Sequence, residues 1–140
     1  MGYAGSCACG SIQVKADRAP VAVRQCWCRR CQRMAGGGPA HNAIFATEAL
    51  STTGLLARTG YTADSGAEIT WEFCPTCGTP VLAHAAIRPH LRSVRMGVLD
   101  QPNDLRPQAV IWTGEAPPWA VFDPALPRYP AQPPAPGKQD

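Results

Sequence analysis

Histidine, acidic charge and long apolar runs are all scarce in this sequence. No stretch of about 18 apolar residues occurs, so no transmembrane helix is expected. The N-terminus lacks the basic and apolar regions of a secretory signal, so a cytoplasmic location is expected. There are only 3 histidines in 140 residues, and none form a helical pair. That excludes the metal sites built on two histidines one turn apart. Neither a Gly-x-Ser-x-Gly elbow nor a phosphate loop is present. The Gly36–Gly38 run has no strand–loop–helix pattern around it and reads as a turn.

Charged residues make up 16% of the chain, with a net charge of +3. Neither value indicates a nucleic-acid partner. The charge is unevenly placed, however. No acidic residue falls between Arg18 and Thr47, while Arg24, Arg29, Arg30 and Arg33 do. This stretch is either a solvated basic face or an attraction for a small anion.

Glycine (13) and proline (15) are abundant. They predict a mainly β domain of short strands and turns, one that metal ions would help to staple. Alternation predicts strands over residues 11–16, 21–26, 42–45, 54–61, 68–73, 80–84, 91–96 and 109–112. One helical turn is expected over residues 32–35, ended by the glycines that follow. The domain is expected to span residues 1–131, and residues 132–140 read as a flexible Pro-rich tail.

The 7 cysteines fall into three clusters: Cys7-Ala-Cys9, Cys26-Trp-Cys28-Arg-Arg-Cys31 and Cys74-Pro-Thr-Cys77. An odd count cannot pair fully, and C-x-C is poor geometry for a bridge within a cluster. Metal ligation is therefore expected. Cys7, Cys9, Cys74 and Cys77 make a four-thiolate set suited to a closed, structural zinc. Pro75 and Gly78 suit a tight turn at the tip of a hairpin. Cys26, Cys28 and Cys31 supply three ligands. His41, His84 or His90 would close that second site; otherwise it keeps an open position. A zinc ion held by three thiolates is soft and mildly Lewis acidic, and a further thiol is its natural fourth ligand. Arg29 and Arg30 could then offset the negative charge or hold substrate carboxylates. His41 follows the glycine run near the cluster and is a candidate for proton transfer.

The ordered motifs Gly5-Ser-Cys7-Ala-Cys9-Gly10, Cys26-x-Cys28-x-x-Cys31 and Phe73-Cys74-Pro-Thr-Cys77-Gly78-Thr-Pro80 resemble the glutathione-dependent formaldehyde-activating enzymes, also called the centromere protein V family. Gly97-Val-Leu-Asp100-Gln-Pro102 and Ala116-Pro-Pro-Trp119 are similar to the family's C-terminal pattern. The resemblance implies an Mss4-like fold of several small antiparallel sheets stapled by zinc. It implies structural zinc at Cys7, Cys9, Cys74 and Cys77, and a catalytic-type zinc at Cys26, Cys28 and Cys31. It also implies carbon–sulfur lyase activity on S-(hydroxymethyl)glutathione, with glutathione as the partner thiol. Two departures flank the second site: Trp27 stands where relatives often carry His, and Gln32 where they often carry Arg. A non-catalytic zinc-stabilised module binding protein or nucleic acid is the alternative function. The sequence sets no oligomeric state.

Overall fold

The computed structural model describes residues 2–134 and Pro136. Of the tail expected over 132–140, residues 135 and 137–140 lie outside the described residues. The architecture is mainly β, as expected. A small antiparallel sheet has the order β1 (Tyr3–Ser6), β2 (Gln13–Ala16), β5 (Leu50–Thr53). The larger sheet is built from β3 (Ala22–Cys26), β4 (Ala40–Ala46), β6 (Ala57–Thr62), β7 (Glu68–Phe73), β8 (Pro80–Ala85), β9 (Leu91–Arg95), β10 (Ala109–Ile111) and β11 (Arg128–Tyr129). Its spatial order is β11-β10-β3-β4-β9-β8-β7-β6. Most pairs are antiparallel, but β10 runs parallel to both β3 and β11.

The large sheet has two unlike faces, because successive side chains of a strand point to opposite sides. One face carries Val23, Ala43, Phe45, Val94 and Leu82. These pack with Ile12, just before β2, and with Val14 and Ala16 of the small sheet into the main core. Burial of such side chains is the principal driving force holding the two sheets together. Cys7 and Cys74 belong to the same core.

The small sheet also meets the rest of the chain through backbone. Gly5 bridges Leu99, and the Asp100 N–H donates to the Ala4 carbonyl at 2.8 Å. A Cβ at Gly5 would sit 2.0 Å from the Val98 carbonyl oxygen, so only glycine allows this approach.

Between β3 and β4 lies the single α-helix of the described residues, α1 (Arg29–Ala35). It is longer than the turn expected over residues 32–35. The Cys28 sulfur caps its start by accepting from the Cys31 N–H. Gly36 ends it in the left-handed conformation at φ 82°.

Candidate metal centres and their surroundings

The turn between β1 and β2 carries Cys7 and Cys9, and the turn between β7 and β8 carries Cys74 and Cys77. Their four sulfurs lie within 4.8 Å of one another. Tetrahedral zinc with Zn–S bonds of about 2.3 Å places sulfurs roughly 3.8 Å apart. The Cys7–Cys9 and Cys9–Cys74 separations are 3.6 and 3.8 Å. The N–H groups of Ile12 and Cys77 point at the Cys7 and Cys74 sulfurs at 3.3 and 3.5 Å. Thr79 Oγ1 lies 3.1 Å from the Cys77 sulfur. These donors favour thiolate. The Thr79 hydroxyl, followed by its backbone N–H, lowers Cys77 to about 5. Burial pushes Cys7 up, but the Ile12 N–H and the Ser11 hydroxyl bring it down to about 7. The donor chemistry and spacing fit a closed, four-thiolate metal site.

The second set forms where β3 ends and α1 begins. Cys26, Cys28 and Cys31 also bring their sulfurs within 4.8 Å of one another. Cys26 and Cys31 are buried, while Cys28 is partly open to solvent. The C-x-C step reaches from the last residue of β3 to the helix cap, and the helical turn returns Cys31 to it. The Cys31 and Cys26 sulfurs are 3.5 Å apart. Metal-free, the three share protons unequally. Hydrogen bonds from Cys26 and then Cys31 lower Cys28 to about 3, with the Arg95 charge adding to the effect. Cys31 is lowered by Cys26, yet its bond to Cys28 and its burial push it up to about 12. Cys26 is driven far up by Cys28, Cys31 and burial. A divalent ion would displace the two remaining protons.

No histidine or carboxylate joins this second set among the described residues. His41 pairs in register with Gln25, next to the Cys26–Ala40 pair, so strand alternation turns it to the core face. There it accepts a hydrogen bond from the Gln25 amide at 2.9 Å, and burial lowers its pKa. His84 sits 3.5 Å from the buried Glu72 carboxylate. His90 is exposed, at the turn leading into β9.

The face of the large sheet that carries Cys26 also carries Asn42, Arg95, Trp71 and Tyr61, by the same register argument. Tyr61 and Trp71 meet edge to face at 5.6 Å. Arg30 reaches from α1 to lie over the Tyr61 ring at 3.7 Å, and Arg95 lies 5.3 Å from the Trp71 ring. Burial raises the Tyr61 pKa, and the Cys28 and Cys31 charges raise it further. Arg29 is turned elsewhere: its guanidinium donates to Gln32, and its N–H donates to Glu115 at 2.8 Å. Of the two arginines inside the motif, Arg30 is the one drawn into this wall.

The two departures from the family pattern have clear surroundings. Trp27 is buried beneath Trp119 and Phe122, at ring separations of 6.2 and 6.0 Å. Gln32 is buried, and its amide donates to the Trp27 and Glu115 carbonyls at 2.7 and 3.0 Å. It ties the helix to the segment after β10.

A family model described as glutathione-dependent formaldehyde-activating enzyme matches residues 2–115. The chain belongs to that family. The formaldehyde-activating family match spans all seven cysteines and every strand except β11. A crystal structure of a Rhodobacter sphaeroides protein is similar in fold, with a TM-score of 0.54 and 24% identity. The similarity covers 71% of this chain and 90% of that one. No curated protein matches this family member.

Sequence reasoning did not single out Arg95, Tyr61 or the anchoring role of Gln32. The strand patterns around residues 61 and 95 were visible. The register that brings both residues to the thiol face was not.

Proposed function

We propose that this chain is a zinc-dependent carbon–sulfur lyase acting on a thiol–aldehyde adduct of the S-(hydroxymethyl)glutathione type. The observation that carries this reading is a three-sulfur set with no fourth ligand among the described residues. It lies beside cations and an aromatic wall, in a chain of the formaldehyde-activating family. A scaffold site would be closed; three ligands are the pattern of a site that admits substrate.

In this proposal Cys7, Cys9, Cys74 and Cys77 hold a structural zinc, and Cys26, Cys28 and Cys31 hold a second. Bound at the second set, zinc would favour the ionised form of a substrate thiol whose free pKa is about 8.5. The protein's own residues place that substrate. Arg30, exposed over Tyr61, is positioned to hold a carboxylate of the thiol-bearing molecule. Tyr61, a phenol with an ordinary pKa of about 10, offers an O–H donor to the adduct oxygen. In the cleavage direction the carbon–sulfur bond breaks and its electron pair stays on sulfur. The hydroxyl proton leaves to water as the carbonyl forms. Glutathione is the thiol this reading favours, and a reducing compartment such as the cytoplasm suits the free cysteines.

The test is the exchange rate between glutathione plus formaldehyde and their adduct, followed by NMR on zinc-loaded protein. Wild type should accelerate exchange, and Cys28→Ser should return it to the uncatalysed rate. Full acceleration by Cys28→Ser would remove the basis of the proposal.

A further inference from the structure

The open thiolate set needs a countercharge, and its own helix supplies little of one. Three thiolates around a divalent ion leave a formal charge of −1, which a fourth thiolate would take to −2. Placing that second negative charge in a partly buried site is costly unless a cation faces it.

Arg95 is a partly buried cation on the same face of the large sheet as Cys26. It stands on β9 opposite Asn42, which in turn stands opposite Arg24, two residues before Cys26. The Arg95 guanidinium donates to Asn42 Oδ1 and lies against Trp71. Among the described residues no carboxylate pairs with it. The ion pairs among the described residues are those of Arg18 with Asp17 and Glu48, and those of Glu72 with Arg58, Arg92 and His84. Glu72 is on the opposite face of the sheet. Burial works against the Arg95 charge, while Cys31, Cys26 and Cys28 support it. The neighbouring cations are engaged differently. Arg24 donates to the Pro134 carbonyl at 3.2 Å, and Arg30 is exposed.

We propose that Arg95 is the countercharge of the open site, a positioning residue that lets the Cys26, Cys28 and Cys31 set accept an anionic fourth thiolate. This rests on the open-site reading above. It extends that reading by making the charge on sulfur, not a carboxylate elsewhere on the molecule, the feature Arg95 serves.

The experiment is a thiol titration of cobalt(II)-loaded protein, followed by sulfur-to-cobalt absorption. Glutathione and 2-mercaptoethanol are the probes, and wild type, Arg95→Met and Arg95→Lys the proteins. Wild type should saturate with both thiols. Arg95→Met should keep its metal but bind both thiols more weakly by about tenfold or more, the scale of losing one partner of a buried charge pair. Arg95→Lys, which keeps the charge, should regain most of the affinity. Equal binding by Arg95→Met and wild type would overturn the proposal, and so would a loss confined to glutathione. Loss of metal from both variants would make Arg95 a structural group and overturn it too. No spectral response of wild type to either thiol would overturn the open-site reading and this proposal together.

Discussion

Individual side chains in this protein are decided by what surrounds them, and Gln32 is the clearest case. Its amide donates to the buried Trp27 carbonyl just before helix α1 and to the part-buried Glu115 carbonyl after β10. Gln32→Leu keeps the volume and removes both bonds. We expect a loss of about 1–3 kcal/mol in unfolding free energy, measured by urea titration. His41 gives a pH signature. Burial lowers its pKa in the folded chain, so below the ordinary value of about 6.5 the unfolded chain takes up a proton that the folded chain resists. Its contribution is intact above that value and is lost as pH falls through the lowered one. Wild type should therefore lose stability relative to His41→Gln as pH drops from about 7 to 5, and equal slopes in urea titrations would show otherwise. The metal's own pH dependence is common to both proteins and cancels.

Elements were unevenly legible in the sequence, for physical reasons. The cysteine sets could be read because ligand spacing is local: a C-x-C step, a helical turn and a tight hairpin each aim sulfurs without help from distant residues. Strands β7 and β8 could be read because alternation and turn residues agree there. The strand β1 was missed: Tyr3-Ala-Gly-Ser lacks β-branched residues, and its pairing with β2 and contact with Leu99 hold it extended. The short β11 is two residues long and is held by its parallel partner β10, too little for a pattern to show. Arg95 was hidden because alternation says that a side chain changes face, while register decides which face. At this scale Gly5→Ala is the sharpest test of the joint between β1 and the Met96–Val98 turn. The added Cβ meets the Val98 carbonyl at 2.0 Å, so a loss of about 2 kcal/mol or more is expected in the same titration.

For the molecule as a whole, the two thiol sets lie on different faces of the large sheet. The four-sulfur set clasps the small sheet to the β7–β8 hairpin, and two of its members lie in the main core. On the proposed reading that this set holds a structural zinc, a strong chelator should lower the thermal unfolding midpoint by on the order of 10 °C or more. Amide exchange should rise first around residues 7–12 and 74–79. The three-sulfur set lies on the other face, outside that core, in a smaller cluster with Ala40 and Ile111. On the proposed reading, a metal bound there is lost without opening the clasp. The most direct test of this division is metal content per chain in wild type and Cys26→Ser, prepared under reducing conditions. The account predicts two ions falling to one, with the unfolding midpoint little changed, because each cysteine group brings its sulfurs within 4.8 Å of one another and offers a separate donor set. A single ion per wild-type chain, undisturbed by Cys26→Ser, would contradict it.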